Sequence, residues 1–156
     1  MSAHLRRLQA DERMMSVAFT AHPFIRVVAA EGTPPEKYTV EFTLKSLVPG
    51  TGTGSEPAIG QRHRAEIFLP LDYPRRPPFC RMITPVFHPN IDPQKICIGD
   101  HWSAGQSLSH LVVRIGEMLC GQSYNTKSPL NAEAAAWAQQ HFERLPLQHD
   151  DLMSGV

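Results

Sequence analysis

The chain has 156 residues, which fit one domain, so no second domain is needed to account for them. Its 15 lysines and arginines balance its 15 aspartates and glutamates, so it lacks the basic surface that binding to a phosphate backbone requires. Charged residues interrupt the first turns, and no apolar run has the length of a membrane span, so neither a signal peptide nor a membrane helix is expected. These properties exclude nucleic acid and membranes as expected partners, and we expect a cytoplasmic protein.

Three cysteines occur in the chain: Cys80, Cys97 and Cys120. Their number is odd and their spacing shows no pairs, which favours reduced thiols over a disulfide framework. A reducing compartment would also keep an exposed thiolate available for chemistry.

The first half of the chain predicts one helix followed by strands. Apolar residues at helical spacing predict an amphipathic helix from about Ala3 to Ala21, which Pro23 ends. Residues 25–28 and 38–44 have the composition and the alternation of half-buried antiparallel strands, with a proline-containing turn at 33–36 between them.

The stretch PGTGTGSEPAIG, residues 49–60, is rich in glycine but lacks the Gly-Lys-Ser/Thr of a phosphate-binding loop. We interpret it as a flexible hairpin loop. Residues 63–69 and 79–83 then predict a third and a fourth strand, so the four strands form a meander.

The second half predicts helices. Ser107 and Gly121 are suited to begin and end a helix that carries one apolar stripe, and Asn131 is suited to cap a later alanine-rich helix that Pro146 ends. The predicted class is therefore α+β, with an N-terminal helix, a four-stranded antiparallel meander and two or more C-terminal helices. We expect one domain over residues 1–146 and a short mobile tail over 147–156.

One ordered set of residues points to chemistry at a cysteine. Cys97 comes seven residues after the tripeptide His88-Pro89-Asn90 and five before Trp102, and Tyr73-Pro74-Arg75-Arg76-Pro77-Pro78 lies upstream. Acyl transfer through a thiol needs a thiolate, an amide that steadies the oxyanion, and a rigid loop that holds both. A lone cysteine between two isoleucines is usually a core residue, but these neighbouring motifs favour catalysis. Cys80 and Cys120 lie on apolar stripes and are expected in the core.

This constellation resembles the ubiquitin-conjugating enzymes, whose core has the Tyr-Pro-x-x-Pro-Pro turn, the His-Pro-Asn tripeptide, a cysteine, a tryptophan and a long helix in the same order. The stretch Ser128-Pro129-Leu130-Asn131-Ala132-Glu133-Ala134-Ala135 is similar to the family's Asp-Pro-Leu-Asn-Pro-Glu-Ala-Ala. The resemblance covers residues 4–145. It implies the UBC fold and a conjugating enzyme that accepts a ubiquitin-like modifier from an adenylating, activating enzyme and delivers it to a protein substrate. It implies no cofactor, because the activating enzyme spends the ATP.

The resemblance also assigns roles to residues. Cys97 would carry the thioester, and Asn90 would either donate to the oxyanion or hold the loop that places Cys97. His88 and Pro89 would support the site structurally, as would Tyr73 with the prolines of its turn. Trp102 would cover the loop after Cys97. A metal site that uses His88, His101 and Cys97 is not expected, because the paired ligand spacing is missing.

Several positions depart from the family pattern. The interval from Asn90 to Cys97 is one residue shorter than usual, and Asp92-Pro93-Gln94-Lys95 replaces the expected glycine. Ser128 stands where an aspartate often orients the incoming lysine, which leaves Asp100 as a substitute carboxylate or as an ordinary surface residue. The proline that commonly follows the tryptophan is missing after Trp102, which argues against a conventional ligase. These short loops resemble compact conjugating enzymes of bacterial systems, some of which act against phage.

Two other functions stay open at this stage. A non-catalytic member of the same fold would bind a ubiquitin-like protein without a thioester, although such members usually lack the cysteine that is present here. A cysteine hydrolase would need a Cys-His-Asp/Asn arrangement, which the sequence does not establish.

Overall fold

The computed structural model describes residues 1–52, 54–98 and 102–156. Its helices and strands, in chain order, are α1 (Ala3–Phe19), β1 (Ile25–Gly32), β2 (Pro35–Phe42), β3 (Ser46–Val48), β4 (Ala58–Gly60), β5 (His63–Phe68), β6 (Phe79–Met82), α2 (Leu108–Leu119), α3 (Ala132–Gln140) and a short 3-10 helix (Phe142–Arg144). The predicted α+β order is therefore confirmed. No helix in these ranges is both long and apolar enough to cross a membrane.

The main sheet has four antiparallel strands in the order β1-β2-β5-β6. Tyr38 of β2 pairs with Ile67 of β5, and Ile67 pairs with Cys80 of β6, so these three side chains share the face that packs against the helices. The four-stranded meander predicted from the sequence is confirmed.

A separate two-stranded hairpin, β3 with β4, lies between β2 and β5 in the chain. The stretch predicted as a flexible loop from residue 49 to residue 60 thus ends in a strand, Ala58–Gly60. Each of these strands has only three residues, which is too few for a period-two alternation to be read from the sequence.

Helix α2 forms the centre of the core. Ser107 Oγ accepts a hydrogen bond from the backbone N–H of His110 at the start of α2, and Gly121 adopts a φ of +81° just after its end. The apolar side chains of α2 that are fully buried are Leu108, Leu111, Val112, Val113 and Ile115. Asn131 caps α3 by accepting from the N–H of Ala134 at 3.0 Å. Both helix starts therefore follow from side-chain capping.

The C-terminal residues lie against this core. Leu152 is only 1% exposed and belongs to the main hydrophobic cluster, and its carbonyl accepts from His22 Nε2 at 2.9 Å. A Cβ built on Gly116 of α2 would lie 3.1 Å from Leu152 Cδ1, so the glycine leaves the space that the leucine fills. This placement differs from the mobile tail expected over 147–156. Val156 also packs against the core, and Gln122 Nε2 donates to the carbonyls of Gln148 and Asp150.

We expect Leu152→Ala to lower the free energy of unfolding by about 2–5 kcal/mol, because it removes a fully buried side chain and leaves a cavity beside Gly116. Urea denaturation measures this loss. The matched control is Met153→Ala at the neighbouring position, which is 36% exposed and should change the free energy by less than about 1 kcal/mol. Equal, small effects of the two substitutions would show that the tail is not docked in solution.

Candidate functional site

Cys97 closes a tight turn that begins at Asn90. The Cys97 N–H donates to the Asn90 carbonyl at 2.9 Å, and Ile91 and Ile96 pair between them as an isolated antiparallel bridge. The Ile96 N–H donates to the Cys80 carbonyl at 2.8 Å, which ties the turn to strand β6. The backbone before Cys97 is therefore fixed to the sheet.

Asp92 forms the tip of this turn. Its Oδ1 accepts from the backbone N–H groups of Gln94 and Lys95 at 2.7 and 2.9 Å, and its own N–H donates to the Lys95 carbonyl at 3.0 Å. An aspartate that bonds its own backbone in this way replaces the turn that a glycine would otherwise make. The shorter interval between Asn90 and Cys97 is thus accommodated by a side chain that the sequence analysis treated only as a departure.

The Cys97 side chain reaches the surface. In an extended segment successive side chains point to opposite sides. Ile96 and Ile98 are buried, 3% and 7% exposed, and Cys97 between them is partly exposed. Cys97 is thus less buried than either of its two neighbours.

The other two thiols are buried in the core. Burial raises the pKa of Cys80 to about 12 and also raises the pKa of Cys120. Both thiols stay protonated at neutral pH, and their expected core placement is confirmed. Of the three cysteines, all in the described part of the chain, Cys97 alone is partly exposed.

Asn90 is buried and uses its side-chain amide in two hydrogen bonds with one residue. Nδ2 donates to the Asn125 carbonyl at 2.8 Å, and Oδ1 accepts from the Asn125 N–H at 2.7 Å. The amide therefore connects the turn that ends at Cys97 with the segment that follows α2. An amide nitrogen has two hydrogens, and the bond to Asn125 uses one of them. Sequence analysis missed Asn125, because nothing in a local pattern shows which backbone a distant asparagine will bond.

His88 is buried beneath the turn, and its Nδ1 accepts from the Asn90 N–H at 3.0 Å. Nε2 carries the hydrogen in the neutral ring and has no hydrogen-bond partner among the described residues. Burial lowers the pKa of His88 to about 4, so the ring is neutral at pH 7. A buried imidazole whose acceptor nitrogen is already occupied is suited to support the turn and is poorly placed for proton transfer.

This pKa predicts acid sensitivity. The His88 pKa is about 4 in the folded chain and 6.5 in the unfolded chain, so between these values the unfolded chain binds a proton that the folded chain does not. Stability is then complete above about pH 6.5 and falls as the pH drops toward 4. Burial lowers the pKa of His63 as well, which acts in the same direction.

We expect the free energy of unfolding to fall by roughly 2 kcal/mol between pH 7 and pH 5 from His88 alone. Urea denaturation at the two pH values measures the difference, and His88→Gln should reduce it by that amount whatever the variant's stability at pH 7. If the free energy of unfolding changed equally between pH 7 and pH 5 in the wild type and in His88→Gln, the result would contradict a buried neutral imidazole at His88.

Pro89 links the tripeptide to the start of α3. Its carbonyl accepts from the N–H groups of Leu130 and Asn131 at 2.8 and 3.0 Å. Ser128 is exposed in the same segment, just before Leu130. The structure thus brings His88, Pro89, Asn90 and Cys97 into one unit. Asp100 and His101 lie outside the described residues.

Tyr73 and Trp102, which lie before and after Cys97 in the chain, pack together. Their ring centroids are 5.7 Å apart, and Trp102 Nε1 donates to the Pro74 carbonyl at 2.8 Å. Tyr73 is 1% exposed and its hydroxyl donates to Asp11 Oδ2. Trp102 therefore covers the Tyr73-Pro74 turn. The sequence analysis missed Asp11 and its ion-pair partner Arg7, which lie one helical turn apart on α1 among other charged residues.

Comparisons with known proteins agree with this arrangement. Residues 39–146 match the family model described as ubiquitin-conjugating enzyme. Ubiquitin-conjugating enzyme E2 N from Drosophila melanogaster is 34% identical over 100 residues, which are 61% of this chain and 65% of that protein. Ubiquitin-conjugating enzyme E2-20 kDa from Schizosaccharomyces pombe is 32% identical over 108 residues, which are 64% of this chain and 60% of that protein. The chain thus spans less than two thirds of the length of these curated relatives.

The fold has a solved counterpart. A crystal structure of a proposed ubiquitin conjugating enzyme from Plasmodium yoelii superposes with a TM-score of 0.65 at 22% identity, and the match covers 94% of this chain and 90% of that chain. At this identity the likeness shows a shared fold.

Proposed function

Because the chain belongs to the ubiquitin-conjugating enzyme family, we propose that it accepts a ubiquitin-like modifier as a thioester on Cys97 and transfers it to an amine, a lysine of a target protein. The observation that carries this proposal is the partly exposed Cys97 thiol at the end of a turn that backbone hydrogen bonds fix to the sheet. A nucleophile that is held on a fixed backbone is what acyl transfer requires.

The reaction has two steps. The Cys97 thiolate attacks the C-terminal carbonyl carbon of a modifier that an activating enzyme has already activated, and the collapse of the tetrahedral intermediate expels the activating enzyme's leaving group. The acceptor amine then attacks the thioester carbonyl, loses a proton and displaces the Cys97 thiolate, so that an amide bond forms. The energy of both steps comes from ATP spent by the activating enzyme, so this chain needs no cofactor of its own.

Asn90 has two compatible roles in this proposal. Its bonds with Asn125 support the role of holding the loop that places Cys97. The second hydrogen on Nδ2 leaves it able to donate to the oxyanion of either step.

The acceptor amine must lose a proton as it attacks. Asp100 is our candidate for the carboxylate that takes this proton, because it lies three residues after Cys97 in the sequence and Ser128 occupies the position where the family often has an aspartate. A ligase is a possible further partner.

The test is to mix the protein with a ubiquitin-like modifier, its activating enzyme and ATP, and to separate the products with and without a thiol reductant. A modifier adduct that the reductant releases supports the transferase. Tight binding of the modifier without an adduct would instead support a non-catalytic adaptor of the same fold. Release of free modifier from a pre-formed conjugate would support a cysteine hydrolase.

The cellular setting is also part of the proposal. Three cysteines without a disulfide suit a reducing compartment, so we place the reaction in the cytoplasm. The bacterial, phage-defence setting stays a prediction from the short loops of the sequence.

A further inference from the structure

Arg7 of α1 joins the N-terminal helix to the loop that leads from Cys97 to α2. Its Nη1 donates to the Ala104 carbonyl and its Nη2 to the Gln106 carbonyl, each at 2.5 Å. These two carbonyls are 97 and 99 residues away in the chain. One guanidinium thus holds two points of a loop that lies outside any helix or strand.

The same guanidinium is itself held in place. Its Nε donates to Asp11 Oδ2 at 3.0 Å and its Nη2 to the Tyr73 hydroxyl at 3.1 Å. Its central carbon lies 5.0 Å from the centroid of the Tyr73 ring and 5.9 Å from that of Trp102. Asp11 and Tyr73 are both buried, so these contacts fix Arg7 within the protein. A planar fork with five N–H donors can make this set of contacts, whereas a lysine ammonium cannot.

The loop over residues 102–107 is held from two sides. Trp102 bonds the Pro74 carbonyl at its start, and Arg7 bonds the carbonyls near its end. The turn before Cys97 is fixed to the sheet through Ile96 and Cys80. The chain is therefore fixed before Cys97 by backbone bonds and over residues 102–107 by side chains, of which Arg7 makes the most contacts described here.

We propose that Arg7 is a positioning residue: it fixes loop 102–107, and through that loop it sets the rate at which Cys97 is loaded with the modifier. The claim about the loading rate of Cys97 rests on the proposed function. The claim that Arg7 fixes loop 102–107 rests on the contacts of Arg7 alone. Misplacement of reacting groups by about 1 Å can cost on the order of 100-fold in rate, so a role of this kind has a measurable effect.

The rate test compares three variants in single-turnover loading. Arg7→Ala should lower the maximal loading rate by about 10- to 100-fold, with the half-saturating concentration of activating enzyme changed by less than about twofold. Arg7→Lys keeps the charge near Asp11, so it should recover part of the stability of the wild type while its loading rate stays low. Arg6→Ala is the matched control, because Arg6 is the neighbouring cation on α1 and its side chain bonds only the Met1 carbonyl among the bonds described here. Arg6→Ala should load at the wild-type rate.

Three results would overturn the proposal. The first is that Arg7→Ala loads at the wild-type maximal rate. The second is that Arg7→Lys recovers the loading rate together with the stability. The third is that Arg6→Ala and Arg7→Ala raise the half-saturating concentration of activating enzyme equally. The last result would make α1 a docking surface only. If Arg7→Ala does not fold, Arg7→Lys carries the test.

A second measurement needs no modifier. In a Trp137→Phe background Trp102 is the remaining tryptophan, and it reports the loop directly. Arg7→Ala should make Trp102 fluorescence more accessible to acrylamide, by about twofold or more, and Arg6→Ala should leave it unchanged. Unchanged quenching in Arg7→Ala would overturn the inference even if that variant loads slowly. Failure of the wild type to load would overturn the proposed function and, with it, the claim that Arg7 sets the loading rate. The quenching measurement would then decide by itself whether Arg7 fixes loop 102–107.

Discussion

Replacement of Cys97 by alanine is expected to reduce formation of the thiol-sensitive adduct by more than about a thousandfold, because it removes the only partly exposed thiol and with it the nucleophile. The measurement is the loading assay with activating enzyme and ATP, read with and without reductant. Since Cys97 lies at the surface, Cys97→Ala should leave the free energy of unfolding within about 1 kcal/mol of the wild type.

The controls for this prediction are Cys80→Ala and Cys120→Ala. Both thiols are buried and have a raised pKa, so neither should form an adduct in the wild type. Each control variant should keep loading at temperatures where it is folded. An adduct that survives Cys97→Ala and disappears in one of the controls would move the nucleophile into the core and contradict the proposed site.

Replacement of Asp11 by alanine should have the largest effect on stability. Asp11 is 3% exposed, pairs with Arg7 Nε at 3.0 Å and accepts from the Tyr73 hydroxyl. Its removal leaves a largely buried guanidinium without its carboxylate and a buried hydroxyl without an acceptor. We expect the free energy of unfolding to fall by about 3–5 kcal/mol, as measured by urea denaturation.

The control is Tyr73→Phe, which removes the hydroxyl's two hydrogen bonds, one to Asp11 and one from Arg7, and keeps the ion pair. It should cost about 1–2 kcal/mol. A loss below about 1 kcal/mol in Asp11→Ala would mean that water replaces the carboxylate and that the network contributes little. Such a result would also weaken the case for Arg7 as a fixed group.

The sequence predicted the elements whose signals are local. Helix α2 has an apolar stripe over three turns and a serine cap, and α3 has an asparagine cap, so both starts could be read from a few neighbouring residues. The main strands show alternation or apolar runs, and the order of helix and strands fixed the fold class. The buried state of Cys80 and Cys120 followed from their apolar neighbours.

Contacts between distant residues could not be predicted in this way. The amide of Asn90 bonds Asn125, and Arg7 bonds the Gln106 carbonyl, and neither pair has a local signal in the chain. The charged run on α1 reads as a solvated helix face, although Asp11 within it is buried. The burial of Leu152 could not be predicted either, because the few apolar residues of 147–156 show no regular spacing.

The docked Leu152 affects how the protein folds during its synthesis. Residues of β1, β2 and α2 border the space that Leu152 fills, yet the leucine leaves the ribosome after all of them. Until then we expect an open apolar groove beside Gly116 in the nascent domain. The sheet and α2 have been synthesised by that stage, but Leu152 does not yet cover them. A chaperone that binds exposed apolar segments should therefore compete with the last residues for this groove, and the final release of the folded domain should wait for residue 152.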